Sequence, residues 1–454
     1  MTTPMMQQYQ EAKSRHPGML LLFRMGDFFE TFGDDAELVS RLLGLTLTSR
    51  DKVLPMAGFP HHQLESYLRK LLQMGHRVAV CDQVEDAALA KGLVKREVTR
   101  VITPGTLTED DLLDPKQLNH LVALWPHGTS IGLAWVELSM GTFHACDVSA
   151  DNLADELTRL GPAECLLAEN APGPFAERVR AVLPAATLAA RPDWTFDPTT
   201  ARAVLFDHFT VGTLAGFGFD DQQPCITAAG ALVFYLRETV RAKLAHLRRL
   251  QPYRPAQYLF LDDVTRRSLE LTQTLRDGSR QGSLLSILDR TVTAMGARQL
   301  HDWLLHPLTD VAAIEMRLDA VEELLNEHPL RRDLREQLGE AYDLQRLTAR
   351  VSTGRATPRD LGAVARTLRL LPRFKAKLTA RHAKLLIDLE QRIELCPDLR
   401  EALDGALVDD PPQNPREGGV FRRGYHAGLD ELHAIALGGK EWIARFQADE
   451  IRRT

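Results

Sequence analysis

Phe28-Phe29-Glu30 sets two aromatic rings against a carboxylate, directly after Gly26-Asp27 and a short apolar run at 19–23. In an extended strand alternate side chains share a face, so Phe28 and Glu30 project together and Phe29 the other way. Two chemistries fit. One is packing, with the rings in a core and the acid solvated. The other is recognition, with an apolar ring inserted between base steps from the minor groove and a hydrogen-bonding acid beside it. A second cluster, Lys91, Lys95, Arg96 and Arg100 with only Glu97 against them, reads either as a solvated face or as a row of contacts to a phosphate backbone. Farther on, 361–387 carries Arg366, Arg369, Arg373, Lys375, Lys377, Arg381 and Lys384 and no acid at all. On helices that is a basic stripe, suited to phosphate or to an acidic neighbour.

Other residue types point to less. Pro55-Met56-Ala57-Gly58-Phe59-Pro60-His61-His62 ends in adjacent histidines. Neighbours point apart on either regular element and no third ligand is spaced to join them, so this reads as a rigid turn rather than a metal site. No G-x-x-x-x-G-K-[ST] occurs, and Gly438-Gly439-Lys440-Glu441 has neither its spacing nor its hydroxyl. H-E-x-x-H, G-x-S-x-G and G-x-G-x-x-G are absent too. Glu137 and Asp147 stand on neighbouring predicted strands, and convergent carboxylates holding metals would make a nuclease. That is the alternative enzyme reading.

The elements that must position these residues fall into three textures. Up to about 107, helical spacing at 7–15, 34–45 and 63–74 alternates with apolar strand-length runs at 19–23 and 77–81, which predicts an α/β unit. Thr103-Pro104-Gly105-Thr106 and the acidic stretch at 109–115 read as a turn and linker. The pattern then resets: three successive strands at 121–125, 131–138 and 141–148 open a second α/β domain, with a helix at 153–160 and a strand at 165–168. From about 260 strand signals vanish and leucine-rich helical segments such as 312–325, 361–371 and 383–395 take over.

Composition sets bounds on function. The 454 residues allow about three domains. A net charge of -6 excludes a protein that grips nucleic acid with its whole surface, so any such contact is local. Residues 1–106 hold 13 Lys/Arg against 12 Asp/Glu, so the first domain is no strong electrostatic binder by itself. Five scattered cysteines form no C-x-x-C, which leaves no zinc or redox pair and fits a reducing cytosol. No apolar run reaches the length of a membrane span, and MTTPMMQQYQ lacks the pattern of a signal peptide. The sequence stops inside a helical pattern, as a natural terminus or an interrupted chain would.

Read in order, the motifs resemble the N-terminal part of the bacterial MutS family of DNA mismatch-recognition proteins. They are Thr3-Pro4-Met5-Met6-Gln7-Gln8-Tyr9, Phe23-Arg24-Met25-Gly26-Asp27-Phe28-Phe29-Glu30, the 55–62 segment and Val101-Ile102-Thr103-Pro104-Gly105-Thr106. Then come Arg266-Arg267-Ser268-Leu269-Glu270-Leu271, Leu288-Asp289-Arg290-Thr291-Val292-Thr293-Ala294-Met295-Gly296 and Gly418-Gly419-Val420-Phe421-Arg422-Arg423-Gly424-Tyr425. The resemblance implies a multidomain fold: an α/β mismatch-recognition domain at 1–107, a linker at 108–117, a ribonuclease-H-like α/β connector at 118–250, an all-α core or lever at 258–429, and the start of a clamp helix at 430–454. It places the family's Phe-x-Glu reader on Phe28 and Glu30, assigns Phe29 to packing, and makes Lys91, Lys95, Arg96 and Arg100 candidate backbone contacts.

It further implies mismatched or looped double-stranded DNA as ligand, a MutL-type repair partner, and work in the cytoplasm on the nucleoid. The family is an ATPase that uses ATP and Mg and acts as a homodimer. The positions that match here include none of the nucleotide-binding residues, so the expectation for this chain is no catalytic residue, no metal, no cofactor and no ATP turnover, with dimerisation in doubt. A structural or interaction fragment that binds no DNA is the remaining alternative. Two departures fall in one loop: Ala87 follows Asp86 where the family usually has proline, and Leu93 replaces another common proline.

Overall fold

The computed structural model describes residues 3–50, 54–85, 92–240 and 244–453. The chain divides into two compact units, residues 1–314 with 348–355, and residues 315–347 with 356–454.

The first unit opens with helix α1 (Pro4–Ser14), started by Thr3, whose hydroxyl accepts from the Met6 N–H, and by proline in the first turn. Strands β1 (Leu20–Met25), β2 (Phe28–Phe32), β3 (Thr48–Arg50), β4 (Leu54–Pro60), β5 (Val78–Gln83) and β6 (Arg96–Ile102) build one sheet in the order β3-β4-β2-β1-β5-β6. Helices α2 (Asp34–Leu43) and α3 (Leu64–Gln73) cover one face. The period-2 alternation of the strands splits the core in two. Leu20, Leu22, Phe29, Phe59, Val78 and Val80 pack beneath α2 and α3. Leu21, Phe23, Phe32, Ala79 and Cys81 pack on the other face with Met5 and Tyr9 of α1. The Tyr9 ring meets Phe23 and Phe32 edge-on at 5.6 and 4.9 Å.

The turn at 103–106 is buried, as is the chain around it from Val101 through Thr108. Its partner is Glu164, wholly buried at the start of a strand in the next domain. The Glu164 carboxylate accepts from the Thr103 hydroxyl at 2.5 Å, the Gly105 N–H at 3.0 Å and the Tyr235 hydroxyl at 2.6 Å. Burial pushes its pKa up, against the pull of these donors. Glu164→Gln puts an N–H₂ where donors already point, and is expected to lower unfolding stability by about 1–3 kcal/mol. A urea midpoint equal to that of the unaltered chain would count against this role.

The second domain carries strands β7 (His120–His127), β8 (Ser130–Glu137), β9 (Thr142–Ser149), β10 (Glu164–Ala168), β11 (Thr187–Arg191) and β12 (Gln251–Pro252), in the order β11-β10-β7-β8-β9-β12. The first three form the antiparallel meander expected from the sequence; β10 and β11 add parallel to β7. Helices α4 (Leu153–Leu160) and α5 (Gly173–Val182) pack on one face, α6 (Pro198–Phe209) and α7 (Pro224–Val240) on the other. Short helices α8 (Asp263–Ser268) and α9 (Leu284–Leu288) and the longer α10 (Ala294–Leu305) follow. Within this unit, Glu109 takes ion pairs from Arg100 and Arg355, and Asp110 takes one from Arg350.

The remaining elements are helices α11 (Val311–Asn326), α12 (His328–Gly339), α13 (Leu344–Ser352), α14 (Pro358–Leu378), α15 (Lys384–Arg392), α16 (Pro397–Ala406) and α17 (Ala427–Arg453). In the second unit the basic stripe of α14 resolves toward packing. Arg369 pairs with Asp404 at 2.6 Å, Lys377 with Asp333 at 2.7 Å and Lys375 with Glu390 at 3.5 Å.

Candidate nucleic-acid interface

Strands β1 and β2 are joined by the two residues Gly26 and Asp27, with Met25 opposite Phe28. Gly26 has φ of +59° and Asp27 does not share that sign, the pattern of a type II′ hairpin, in which glycine comes first. The tip is pinned from two sides. The Arg24 guanidinium Nε donates to the Gly26 carbonyl. The His61 backbone N–H donates to the Asp27 carbonyl at 2.8 Å. The histidine pair thus belongs to a turn that seats the hairpin, and no metal cluster forms among the described residues.

Parity turns Phe29 to the face opposite Phe28 and Phe32, and position along the strand separates those two, with Phe28 at the rim. Phe29 and Phe32 are 1% and 3% exposed, whereas Phe28, at the rim, is 45% exposed. Glu30 lies two residues on, about 7 Å along the strand and on the same face as Phe28. It is half-buried, opposite Phe23 on β1 and Gly58 on β4. An exposed aromatic ring beside a half-sheltered carboxyl, at the end of an interior strand, can slide between stacked planar groups and offer a hydrogen-bonding group to what it displaces.

The four cations separate. Lys91 lies outside the described residues. Arg96 sits on the same face as Phe28 and Glu30, its guanidinium 5.4 Å over the Phe23 ring, and donates to the Arg24 carbonyl at 2.7 Å. Lys95 is exposed and pairs with Glu97 at 2.7 Å. Arg100 is turned to the opposite face, where it pairs with Glu65 of α3 at 2.8 Å and with Glu109 at 3.2 Å. Arg96 and Arg100 are four apart and would share a face in a regular strand. A bulge at the Val80/Cys81 rungs skips Thr99 and reverses the parity. Arg100 thus faces away from Phe28 and is held by two carboxylates.

The nuclease alternative is corrected by register as well. Asp147 pairs with Gly132 and Glu137 with Thr142, so the two acids stand five rungs apart, about 17 Å, on opposite faces of the sheet. Glu137 is fully buried and takes a hydrogen bond from the Ser139 hydroxyl at 2.7 Å; Asp147 accepts the Cys225 N–H at 2.8 Å. They do not converge on a common point.

The fold defines a multidomain protein whose first sheet carries an exposed aromatic ring at its rim, followed by a second α/β domain and a helical region. Models of MutS domains I, II and III match residues 3–111, 119–248 and 264–452 in that order. The chain belongs to the MutS family. Over its whole length it is 47% identical to the DNA mismatch repair protein MutS of Rhodopirellula baltica, 44% to that of Salinibacter ruber and 45% to that of Symbiobacterium thermophilum. It spans about half the length of these relatives: 53%, 51% and 53%. Among the described residues no helix is long and apolar enough to cross a membrane.

Gly58 and Arg24 are the positions that sequence reasoning passed over. Both lie inside the motifs named above. The segment read as a turn is strand β4 through Pro60, with the turn confined to His61–Gln63, and a glycine inside a strand is a usual mark of a close approach.

Proposed function

We propose that this chain reads mismatches in duplex DNA for mismatch repair, with Phe28 as an aromatic wedge entering from the minor groove and Glu30 hydrogen-bonding the displaced base. The exposure of the Phe28 ring, beside neighbours sealed in the core, carries this reading. A mispaired step stacks poorly and bends at lower cost than paired duplex, so selectivity comes from deformability rather than from a base code. Against a purine N7, a pure acceptor, the Glu30 carboxyl must donate; against an imino N–H it accepts. Lys95 and Arg96 lie in the strand segment that reaches the same sheet end, suited to a nearby phosphate.

The second domain we read as a ribonuclease-H-like connector, supported by its antiparallel meander followed by parallel strands, and without nuclease chemistry of its own. We place the protein in the cytoplasm, on the nucleoid. ATP and Mg, homodimerisation and a MutL-type partner we assign to the longer assembly typified by its relatives, and we expect no ATP turnover from residues 1–454.

The test is a pair of anisotropy titrations at one salt concentration, using a labelled duplex with a single mispair and its fully paired twin. The mispaired duplex is expected to bind more tightly. Equal affinities would overturn the reading, and binding to neither would favour a structural or interaction role.

A further inference from the structure

We propose that Gly58 sets where the Glu30 carboxyl stands, and thereby which mispairs the reader accepts; this rests on the reading of Phe28 and Glu30 given above. Gly58 lies inside β4, directly opposite Glu30 in the antiparallel ladder with β2. Paired residues in such a ladder project to the same face, so a side chain at 58 would stand beside that of Glu30. Glycine weakens a strand interior, and something usually requires it there. The backbone does not: Gly58 is absent from the residues of positive φ. Space does. A Cβ at 58 would meet the Glu30 Cγ at 3.1 Å and the Phe29 carbonyl oxygen at 2.9 Å.

The Glu30 stem therefore lies across the slot left by the missing side chain. On one flank it has Gly58 and on the other Phe23, whose ring is fixed by Tyr9 and capped by Arg96. The Phe23 flank cannot yield, because that ring is fully buried. A methyl group at 58 must displace the stem, and it presses on the Phe29 carbonyl as well. Phe28 is two residues away and pairs with Pro60 rather than Gly58, so its ring keeps its place. Gly58 is thus a positioning residue that acts through Glu30 and leaves the wedge alone.

The experiment is a cycle of Gly58→Ala, Glu30→Ala and the double variant in the full chain. It is read on three duplexes, each with a different mispair, and by thermal unfolding without DNA. Gly58→Ala is expected to keep the preference for mispaired over paired duplex. It should change the affinity ratio between mispairs by about fivefold, the worth of one net hydrogen bond. The double variant should rank the mispairs as Glu30→Ala does alone. In unfolding, Gly58→Ala should cost more Tm with Glu30 present than in the Glu30→Ala background, because removing Cγ removes the conflict. An unchanged ranking, or effects that multiply independently, would overturn the proposal. So would an equal Tm loss in both backgrounds, which would assign Gly58 to the Phe29 carbonyl. A wild-type chain that ignores mispairs overturns the functional reading and this proposal with it. A wild-type preference with an unresponsive Gly58→Ala overturns this proposal alone.

Discussion

Phe28→Ala is expected to erase the preference for mispaired duplex while the fold survives. Stacking an aromatic side chain on a base is worth about 1–3 kcal/mol, so the ratio of mispaired to paired affinity should fall by about 5- to 150-fold, toward unity. The residual affinity for paired duplex should remain, since phosphate contacts supply it. Stability should move by no more than about 0.5 kcal/mol, as for other exposed positions. Phe29→Ala is the contrasting control. Its ring is buried against Phe59, 6.2 Å between centroids, and beneath Arg24. Truncation there should cost about 3–5 kcal/mol of folding stability. Circular dichroism melts with paired anisotropy titrations separate the two. An unchanged affinity ratio in Phe28→Ala would remove the wedge from the account.

That Phe28 and Phe29 face opposite ways was readable in the sequence, because strand parity is a local property; which of them is exposed was not, since both faces of the sheet are covered and Phe28 is exposed by standing at the strand's end. Three consecutive positions on one strand divide themselves between faces once the strand is recognised, and the apolar run before Gly26 made that recognition straightforward. Arg96 and Arg100 show where the same rule stops. Their spacing of four predicts a shared face, and a single skipped residue at Thr99 undoes it. Nothing in the local sequence marks the bulge. The 103–106 turn was legible as a turn, but its burial comes from Glu164, about sixty residues on, and from Tyr235 farther still. The basic stripe at 361–387 showed its charge and left its partners open; Asp333, Glu390 and Asp404 arrive from other helices. Local chemistry was therefore legible wherever one element decides it, and illegible wherever a distant segment supplies the partner.

Acid is expected to unfold the second domain well before its carboxylates are titrated. His120 and His144 lie on the face of the sheet covered by α4 and α5, and burial pulls both imidazole pKa values down, from 6.5 to about 4. The buried Arg159 cation, held by Glu156 at 2.6 Å and 5.5 Å from the Trp135 ring, lowers both further. Between about pH 6.5 and pH 4 the unfolded chain binds protons that the folded domain refuses, so stability falls as pH falls through that window. Each histidine is worth about 3 kcal/mol by pH 4, an amount comparable with the whole stability of many domains. The carboxyls of buried Glu164 and half-buried Asp147, whose pKa values are raised by burial, work in the opposite sense and blunt the slope. His144 offers the cleaner test. It stacks on Trp135 at 5.3 Å and 18°, and its Nδ1 has no hydrogen-bond partner among the described residues. Phenylalanine keeps the stack and removes the titrating group. Urea midpoints of His144→Phe and the unaltered chain should coincide near pH 7.5 and diverge as pH approaches 4, with the variant the more stable. Parallel curves across that range would mean that this imidazole does not govern the acid limit, and that the loss begins at carboxylates instead.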